Sequence, residues 1–269
     1  MELNQIVCID ALQGLKDLPD NCVTLIVTSP PYANIRQSYS GPSAFEFVNW
    51  FLPFAKEALR VLTDEGSFII NLQDKVEGGE RVPYVFDLVL KMRELGYFYM
   101  DAIIWTKKNG ASNAGRRRAN YFEYILHLSK TVEPVWNPDA IRTPYAASSI
   151  KRATRPIKNN VSNRESRDKQ EVKYKKWTLN SNGAYPKNVI AFPKDSGRTH
   201  PASFHIDLPT HFIKAHSNEN DLVLDIFAGK GTTCQAAKNL KRKFLGFEIK
   251  QEYVDLAKKE YNLESKTWP

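Results

Sequence analysis

The chain has 269 residues and a mass of 30.8 kDa, enough for one large domain or two small ones. Its 42% hydrophobic and 25% charged residues are ordinary globular proportions, and its 13 Gly and 15 Pro show no period, which excludes wholesale disorder and collagen- or mucin-like chains. The charge is less ordinary: 38 Lys+Arg against 30 Asp+Glu give a net +8 and an isoelectric point near 9.2, the balance of a protein with an acidic partner, nucleic acid first.

In chain order, Gln5–Ile9 is a short apolar run, and Asp10 stands where it would cap a helix over Leu12–Leu18. Val23–Val27 predicts a strand that stops at Thr28-Ser29-Pro30-Pro31-Tyr32. Phe45–Leu62 carries apolar residues at helical spacing (Phe47, Phe51, Phe54, Ala58, Leu59, Leu62) and predicts an amphipathic helix. Ser67–Leu72 predicts a buried strand entered through Gly66. Tyr84–Leu95 predicts a helix stopped by Gly96. Tyr97–Thr106 and Tyr121–Ser129 are aromatic and β-branched and predict an antiparallel pair. Beyond residue 198 the pattern becomes helix (Ile206–His216), strand (Leu222–Ile226), helix (Thr232–Leu240), strand (Phe244–Phe247), helix (Glu252–Tyr261). Strands alternating with helices predict an α/β fold with an open, mostly parallel sheet and right-handed crossovers.

Between these halves the pattern fails. Arg142–Arg198 holds 14 basic and 4 acidic side chains, leaving 24 against 26 for the rest of the chain. The positive charge therefore sits in one segment, +10 on a −2 body. Ala146–Lys176 has no sustained apolar pattern. It reads either as a solvated loop or as a nucleic-acid contact module inserted into a near-neutral catalytic body, with boundaries near 131 and 198. Trp136, Tyr145, Tyr174 and Trp177 read either as the small core of this insert, the favoured reading, or as stacking residues.

The mean hydropathy is −0.45, and the longest apolar runs fall well short of the ~20 residues of a membrane helix, so no membrane is expected. The first ten residues have two acids and no base, unlike a secretory signal. Cys8, Cys22 and Cys234 are scattered, read as small buried residues, and fit a reducing cytoplasm. His200, His205, His211 and His216 do not share a helical face and lack a nearby cysteine, so no metal is expected.

Two constellations carry chemistry. Asp225-Ile226-Phe227-Ala228-Gly229-Lys230-Gly231-Thr232-Thr233 follows a predicted strand and opens a helix, and its two glycines let the backbone turn tightly and approach a ligand. Glu248 ends the next strand, where an acid accepts hydrogen bonds from ribose hydroxyls. The third glycine of the dinucleotide fingerprint and the Walker pattern are both missing, which sets aside NAD and ATP and leaves another ribose-bearing cofactor. The plainer reading is an ordinary strand–helix turn. In Ser29–Tyr32, two prolines remove two N–H donors and fix an acceptor-rich edge beside an aromatic ring, suited to an exocyclic amino group on a stacked base. The plainer reading is a rigid turn.

T-S-P-P-Y early and D-I-F-A-G-K-G-T-T with G-F-E late resemble the DNA amino-methyltransferases that use S-adenosylmethionine, in the order of the circularly permuted β group. Asn71–Asp74, Phe122–Lys130 and His200–Phe204 with Leu208-Pro209 resemble further family stretches. The resemblance spans nearly the whole chain except the basic segment, which falls where the family keeps its target-recognition region. It implies a Rossmann-like methyltransferase fold and a catalytic domain made of residues 1–130 and 199–269. It implies duplex DNA as partner, and a separately acting restriction endonuclease as the companion of a modification enzyme. Localisation would be bacterial or archaeal cytoplasm, at the nucleoid.

The resemblance also implies roles. Ser29 and Pro30 would hold the two amino hydrogens, and Pro31 and Tyr32 would present a ring that stacks on the flipped base. The S-P-P-Y form resembles enzymes acting on cytosine N4; adenine N6 is the alternative. Phe227, Ala228, Gly229, Gly231, Thr232 and Thr233, after Asp225, would surround the methionine part of the cofactor, with Glu248 on the ribose. Asp10 and Ala11 would lie near adenine, with the helix cap as the other reading of Asp10. His200 and Pro201 would close the pocket, and Asn34–Ser43 would close over the base. Arg116, Arg117 and Arg118 read either as a solvated run or as phosphate contacts. With Lys151, Arg152, Arg155, Lys173, Lys175 and Lys176 they make up the expected DNA-binding set. The rivals are a DNA-binding protein on the same fold without catalysis, and methylation of RNA or protein amides.

Overall fold

The computed structural model describes residues 2–33, 41–107, 116–155, 157–158, 174–175, 178–193 and 204–267, with backbone alone at 157–158, 174–175 and 265–267. In chain order the elements are β1 (Gln5–Cys8), α1 (Ala11–Lys16), β2 (Val23–Thr28), α2 (Phe47–Val61), β3 (Leu62–Leu72), β4 (Lys75–Glu77), β5 (Glu80–Val82), α3 (Tyr84–Glu94), β6 (Phe98–Thr106) and β7 (Phe122–Ser129). They continue with α4 (Ala147–Ala153), β8 (Ile157–Lys158), β9 (Tyr174–Lys175), β10 (Val189–Ile190), α5 (Asp207–His216), β11 (Leu222–Asp225), α6 (Thr232–Asn239), β12 (Lys243–Glu248), α7 (Gln251–Tyr261) and β13 (Glu264–Thr267). Two compact units result, one of residues 1–137 with 187–269 and the other of residues 138–186.

The first unit is built on a nine-stranded sheet in the order β10-β6-β7-β3-β2-β11-β12-β1-β13. Its pairings are parallel except those of β7, which runs antiparallel to both β3 and β6. Alternate residues of the central strands enter two apolar cores. Val7, Ile26, Leu224 and Phe247 face the α1–α2–α3 side, whereas Ile6, Leu25, Val27 and Val223 join α5, α6 and α7. Burial on both faces explains why these strands read as continuous apolar runs. The parallel strands bring their carboxyl ends to one edge, so Thr28, Asp225 and Glu248 end neighbouring strands there, the place where open α/β sheets bind ligands.

Several elements lie outside what periodicity predicts. β3 starts at Leu62 rather than Ser67, because its early residues Asp64 and Glu65 are exposed and carry no apolar signal. β4 and β5 form a short hairpin around Gly78 (φ +60°) and Gly79 (φ +88°), the left-handed conformations a tight hairpin turn needs. Ala147–Ala153, inside the stretch without an apolar pattern, is the helix α4, which buries only Ala153. Trp136 belongs to the first unit, where its ring lies 5.1 Å from that of His216, and not to a core of the basic insert. Cys8 and Cys22 are half-buried; Cys234 is buried as expected.

In the second unit, Arg142 pairs with Asp139 at 2.5 Å and lies over the Tyr185 ring, while Thr143 bridges to Ala184. The Tyr145 hydroxyl accepts the Asn180 N–H at 3.0 Å. Tyr174 is described by its backbone alone, and Trp177 lies outside the described residues.

Beneath the sheet two buried histidines meet, His127 of β7 and His216 of α5, with ring centroids 4.3 Å apart. The His127 Nε2 lies 3.0 Å from the Ser67 Oγ, and the His216 Nδ1 lies 3.2 Å from the Val135 carbonyl oxygen. Burial lowers both: His127 well below its ordinary value, with His216 adding to the effect, and His216 to about 4 despite the Val135 contact. Above the unfolded value both rings are neutral in both states. As pH falls below that value the unfolded chain takes up protons that the folded one refuses, and stability drops. From pH 6.5 to 5, His216 alone is expected to remove about 1.5 kcal/mol. Urea unfolding of wild type and His216→Phe across this range checks this; parallel curves would contradict it.

Candidate active site

The turn after β11 is shaped by glycine. Gly231 has φ +85° and caps α6, and a Cβ there would lie 2.5 Å from Ile6 Cδ1. Gly229, at φ +52°, donates its N–H to Glu248 Oε2 at 2.9 Å, while Glu248 Oε1 accepts the Lys250 N–H at 2.9 Å. The Ala228 N–H donates to the Phe247 carbonyl at 2.8 Å. The ends of β11 and β12 are thereby locked together, with the buried Glu248 carboxylate held between two backbone N–H groups. Phe227 stacks on Trp50 at 5.8 Å and meets Phe54 edge-on at 5.3 Å. Lys230 is buried and its ammonium lies 3.4 Å from Glu260 of α7. Thr232 and Thr233 are buried in the first turn of α6.

The buried Asp225 carboxylate accepts the Thr28 hydroxyl at 2.6 Å and the Phe227 N–H at 3.1 Å. Burial pushes this carboxyl above its ordinary range, and the Thr28 hydroxyl and Phe227 N–H oppose the shift. This contact joins the first residue of T-S-P-P-Y to the first residue of D-I-F-A-G. Asp10 caps α1, its Oδ1 accepting the Leu12 and Gln13 N–H groups at 2.9 and 3.1 Å. It lies beside the Glu248 strand: Cys8 pairs with Glu248, and the Ile9 N–H donates to the Glu248 carbonyl at 3.0 Å. Ala11 is the buried first residue of α1.

Ser29, Pro31 and Tyr32 are half-buried and Pro30 is buried. The Ser29 hydroxyl lies 3.4 Å from the Tyr32 hydroxyl, which donates to Glu123 Oε2 at 2.8 Å and accepts from Asn71 Nδ2 at 2.9 Å. Burial raises the Tyr32 phenol far above its ordinary value, so it stays protonated. Lys107 forms an ion pair with Glu123 Oε1. Thr28, Asn71, Lys107 and Glu123 are site residues that motif reading leaves without a role. Thr28, Asn71 and Glu123 fall within the stretches that resemble the family but receive no role from it, and Lys107 is marked only as a charge set against an apolar strand run.

Arg116, Arg117 and Arg118 are exposed, and Arg117 donates to the Gly79 carbonyl of the β4–β5 turn. Lys151, Arg152 and Arg155 are exposed in and just after α4. Lys175 is described by its backbone alone. Residues 34–40, Lys173, Lys176, His200 and Pro201 lie outside the described residues. Among the described residues no group of three His, Cys, Asp or Glu is placed to hold a metal, and no helix is long and apolar enough to cross a membrane.

A mostly parallel sheet with one antiparallel strand, and a glycine turn and an acid at neighbouring strand ends, define an α/β protein of the methyltransferase fold. Residues 23–259 match the family model described as DNA methylase, N6_N4_Mtase, and the chain belongs to this family. It is 31% identical over 261 residues to the type II methyltransferase M.BglII of Bacillus subtilis, covering 95% of this chain and 68% of that one. It is 30% identical over 274 residues to the DNA adenine methyltransferase YhdJ of Escherichia coli K12, covering 98% and 84%. The structure of the cytosine-N4-specific PvuII DNA methyltransferase superposes with a TM-score of 0.72 at 23% identity, covering 98% and 95%. TTHA0409 of Thermus thermophilus, complexed with S-adenosyl-L-methionine, superposes with a TM-score of 0.66 at 23% identity, covering 98% and 97%.

Proposed function

We propose that the protein is a site-specific DNA methyltransferase acting on the N4 amino group of cytosine in duplex DNA, with S-adenosylmethionine as its cofactor, in a restriction-modification system with a separately acting endonuclease. The observation that carries the reading is the Thr28–Asp225 hydrogen bond, which ties the S-P-P-Y edge to the glycine turn at adjacent strand ends. The arrangement of strands supports the permuted β group: the strand ending in S-P-P-Y comes early in the chain, yet in the sheet it adjoins the late strand that ends in Asp225.

The donor set fits the cofactor. Glu248 would take the ribose, Phe227 to Gly229 and Gly231 to Thr233 would border the methionine part, Asp10 and Ala11 would lie toward adenine, and His200 with Pro201 would close the pocket. When bound, S-adenosylmethionine supplies a sulfonium methyl, an electrophile that needs only an oriented nitrogen lone pair. An exocyclic amine conjugated to its ring is a poor nucleophile. Tyr32 stacks on the base once it has left the duplex. The Ser29 hydroxyl and Pro30 carbonyl accept the two amino hydrogens, which favours a tetrahedral nitrogen and frees its lone pair. Residues 131–198 serve as the target-recognition region, and the basic set from Arg116 to Lys176 contacts phosphates.

Mass spectrometry of nucleosides from cells expressing the protein tests the base. N4-methylcytosine absent from control cells is the expected result. N6-methyladenine alone would reassign the enzyme to the other base, in keeping with the similarity to the adenine enzyme. Neither product, together with no calorimetric binding of S-adenosylmethionine at millimolar concentration, would leave a DNA-binding protein without catalysis.

A further inference from the structure

We propose that Glu123, Asn71 and Lys107 form a buried positioning network that fixes the Tyr32 ring for stacking on the flipped base, an inference that rests on the stacking role given to Tyr32 above. Four segments converge here. Asn71 is near the end of β3, Glu123 is at the start of β7, Lys107 directly follows β6, and Tyr32 follows β2. Glu123 is in register with Trp105. The side chains of Glu123 and Lys107 are only 6% and 14% exposed. An acid and a base held this deep need partners of good geometry, and such an arrangement is kept where it specifies a conformation.

The bonding pattern says what is specified. Glu123 Oε2 accepts from the Tyr32 hydroxyl at 2.8 Å and from Asn71 Nδ2 at 2.7 Å, while Oε1 takes the Lys107 ammonium. A carboxylate with three donors around it is an anchor, which separates this role from that of a general base. The Asn71 amide nitrogen is shared between Glu123 and the Tyr32 oxygen, whereas its buried Oδ1 has no hydrogen-bond partner among the described residues. Turning the amide over would set that oxygen against the carboxylate. The orientation with an unmet acceptor is therefore held by the donor side, and it points one N–H at Tyr32. The phenol in turn has both roles filled, accepting from Asn71 and, at 3.4 Å, from Ser29 while donating to Glu123, so the ring is pinned at its far end while Pro30 and Pro31 fix the backbone before it.

Tyr32→Phe, Glu123→Gln, the double variant and Tyr32→Ala test the network. The readouts are methyl transfer from radiolabelled cofactor to DNA, calorimetric affinity for S-adenosylmethionine, and thermal melting. Tyr32→Phe keeps the ring and loses the pin. It is expected to lower kcat about 10-fold with cofactor affinity within about twofold of wild type. Glu123→Gln is expected to do the same. The double variant should fall no more than about twofold below the worse single, because both act on the shared Tyr32–Glu123 hydrogen bond. Wild-type kcat in Tyr32→Phe, or losses that multiply in the double variant, would overturn the network. If Glu123→Gln melts early or loses the cofactor, Tyr32→Phe alone decides, by the same criterion. Tyr32→Ala separates the two layers. Loss of turnover there with normal Tyr32→Phe would refute the pinning and spare the stacking; retained turnover in Tyr32→Ala would refute both.

Discussion

Replacing Arg116, Arg117, Arg118, Lys151, Arg152 and Arg155 together with alanine is expected to weaken binding to duplex DNA about 1000-fold near physiological salt. The slope of log affinity against log salt should flatten by about 5 units, the release of roughly six counterions. All six residues are exposed, so the change leaves both apolar cores intact. The structural cost is small. Arg117 loses a contact to the Gly79 carbonyl, and Lys151 and Arg152 leave the last turn of α4, where a cation contributes about 0.5 kcal/mol. Affinity for S-adenosylmethionine should stay at the wild-type value, because the glycine turn and Glu248 keep every bond described above. Fluorescence anisotropy with a labelled duplex, read across a salt series spanning about 50 to 200 mM, gives affinity and slope together. An unchanged slope would remove these side chains from the phosphate contacts and return the basic segment to an ordinary solvated loop.

That segment is also where the sequence is least informative, for a physical reason. The central strands are legible because both faces of the sheet are covered, so that nearly every residue of β2, β11 and β12 is buried and each strand carries an apolar stretch. The large helices are legible because each has one buried stripe, as in Phe47, Phe51, Phe54 and Ala58 of α2. The helix α4 buries a single alanine, so no periodic signal exists for it. The β4–β5 hairpin is three residues a side and mostly exposed, and is marked only by Gly78-Gly79. In the candidate site, local motifs expose those residues whose neighbours in sequence are also neighbours in function: Ser29 to Tyr32, and Phe227 to Thr233. Asn71, Lys107 and Glu123 meet through the sheet order; Asn71 and Glu123 fall in stretches that resemble the family, but no local pattern gives any of the three a role. Asp10 shows the opposite difficulty. Its cap on α1 is present in the structure, and the preceding Ile9 N–H donates to the Glu248 carbonyl, so a carboxylate read as facing the cofactor also makes a local helix-capping bond.

Ser29→Ala is expected to lower kcat about 100- to 1000-fold, the range for removing one well-placed hydrogen-bonding group from a transition state, equivalent to about 3–4 kcal/mol. The hydroxyl is small, half-buried and at hydrogen-bond distance from the Tyr32 hydroxyl at 3.4 Å. Alanine keeps the backbone path into Pro30-Pro31, so Thr28 still bonds Asp225 and the glycine turn is undisturbed. On the proposed role the substitution removes an acceptor for one amino hydrogen, together with the long Ser29–Tyr32 hydrogen bond. With only the Pro30 carbonyl left, the nitrogen keeps more of its conjugation with the ring and its lone pair is less available. Because this interaction strengthens as the nitrogen becomes tetrahedral, kcat should carry the loss, with the KM for DNA and the affinity for cofactor within about threefold of wild type. Single-turnover kinetics on a preformed complex with cofactor and DNA isolates the chemical step. A normal single-turnover rate would show that the Ser29 hydroxyl does not hold the reacting amine. A loss that appears only in KM would assign it to binding the base instead.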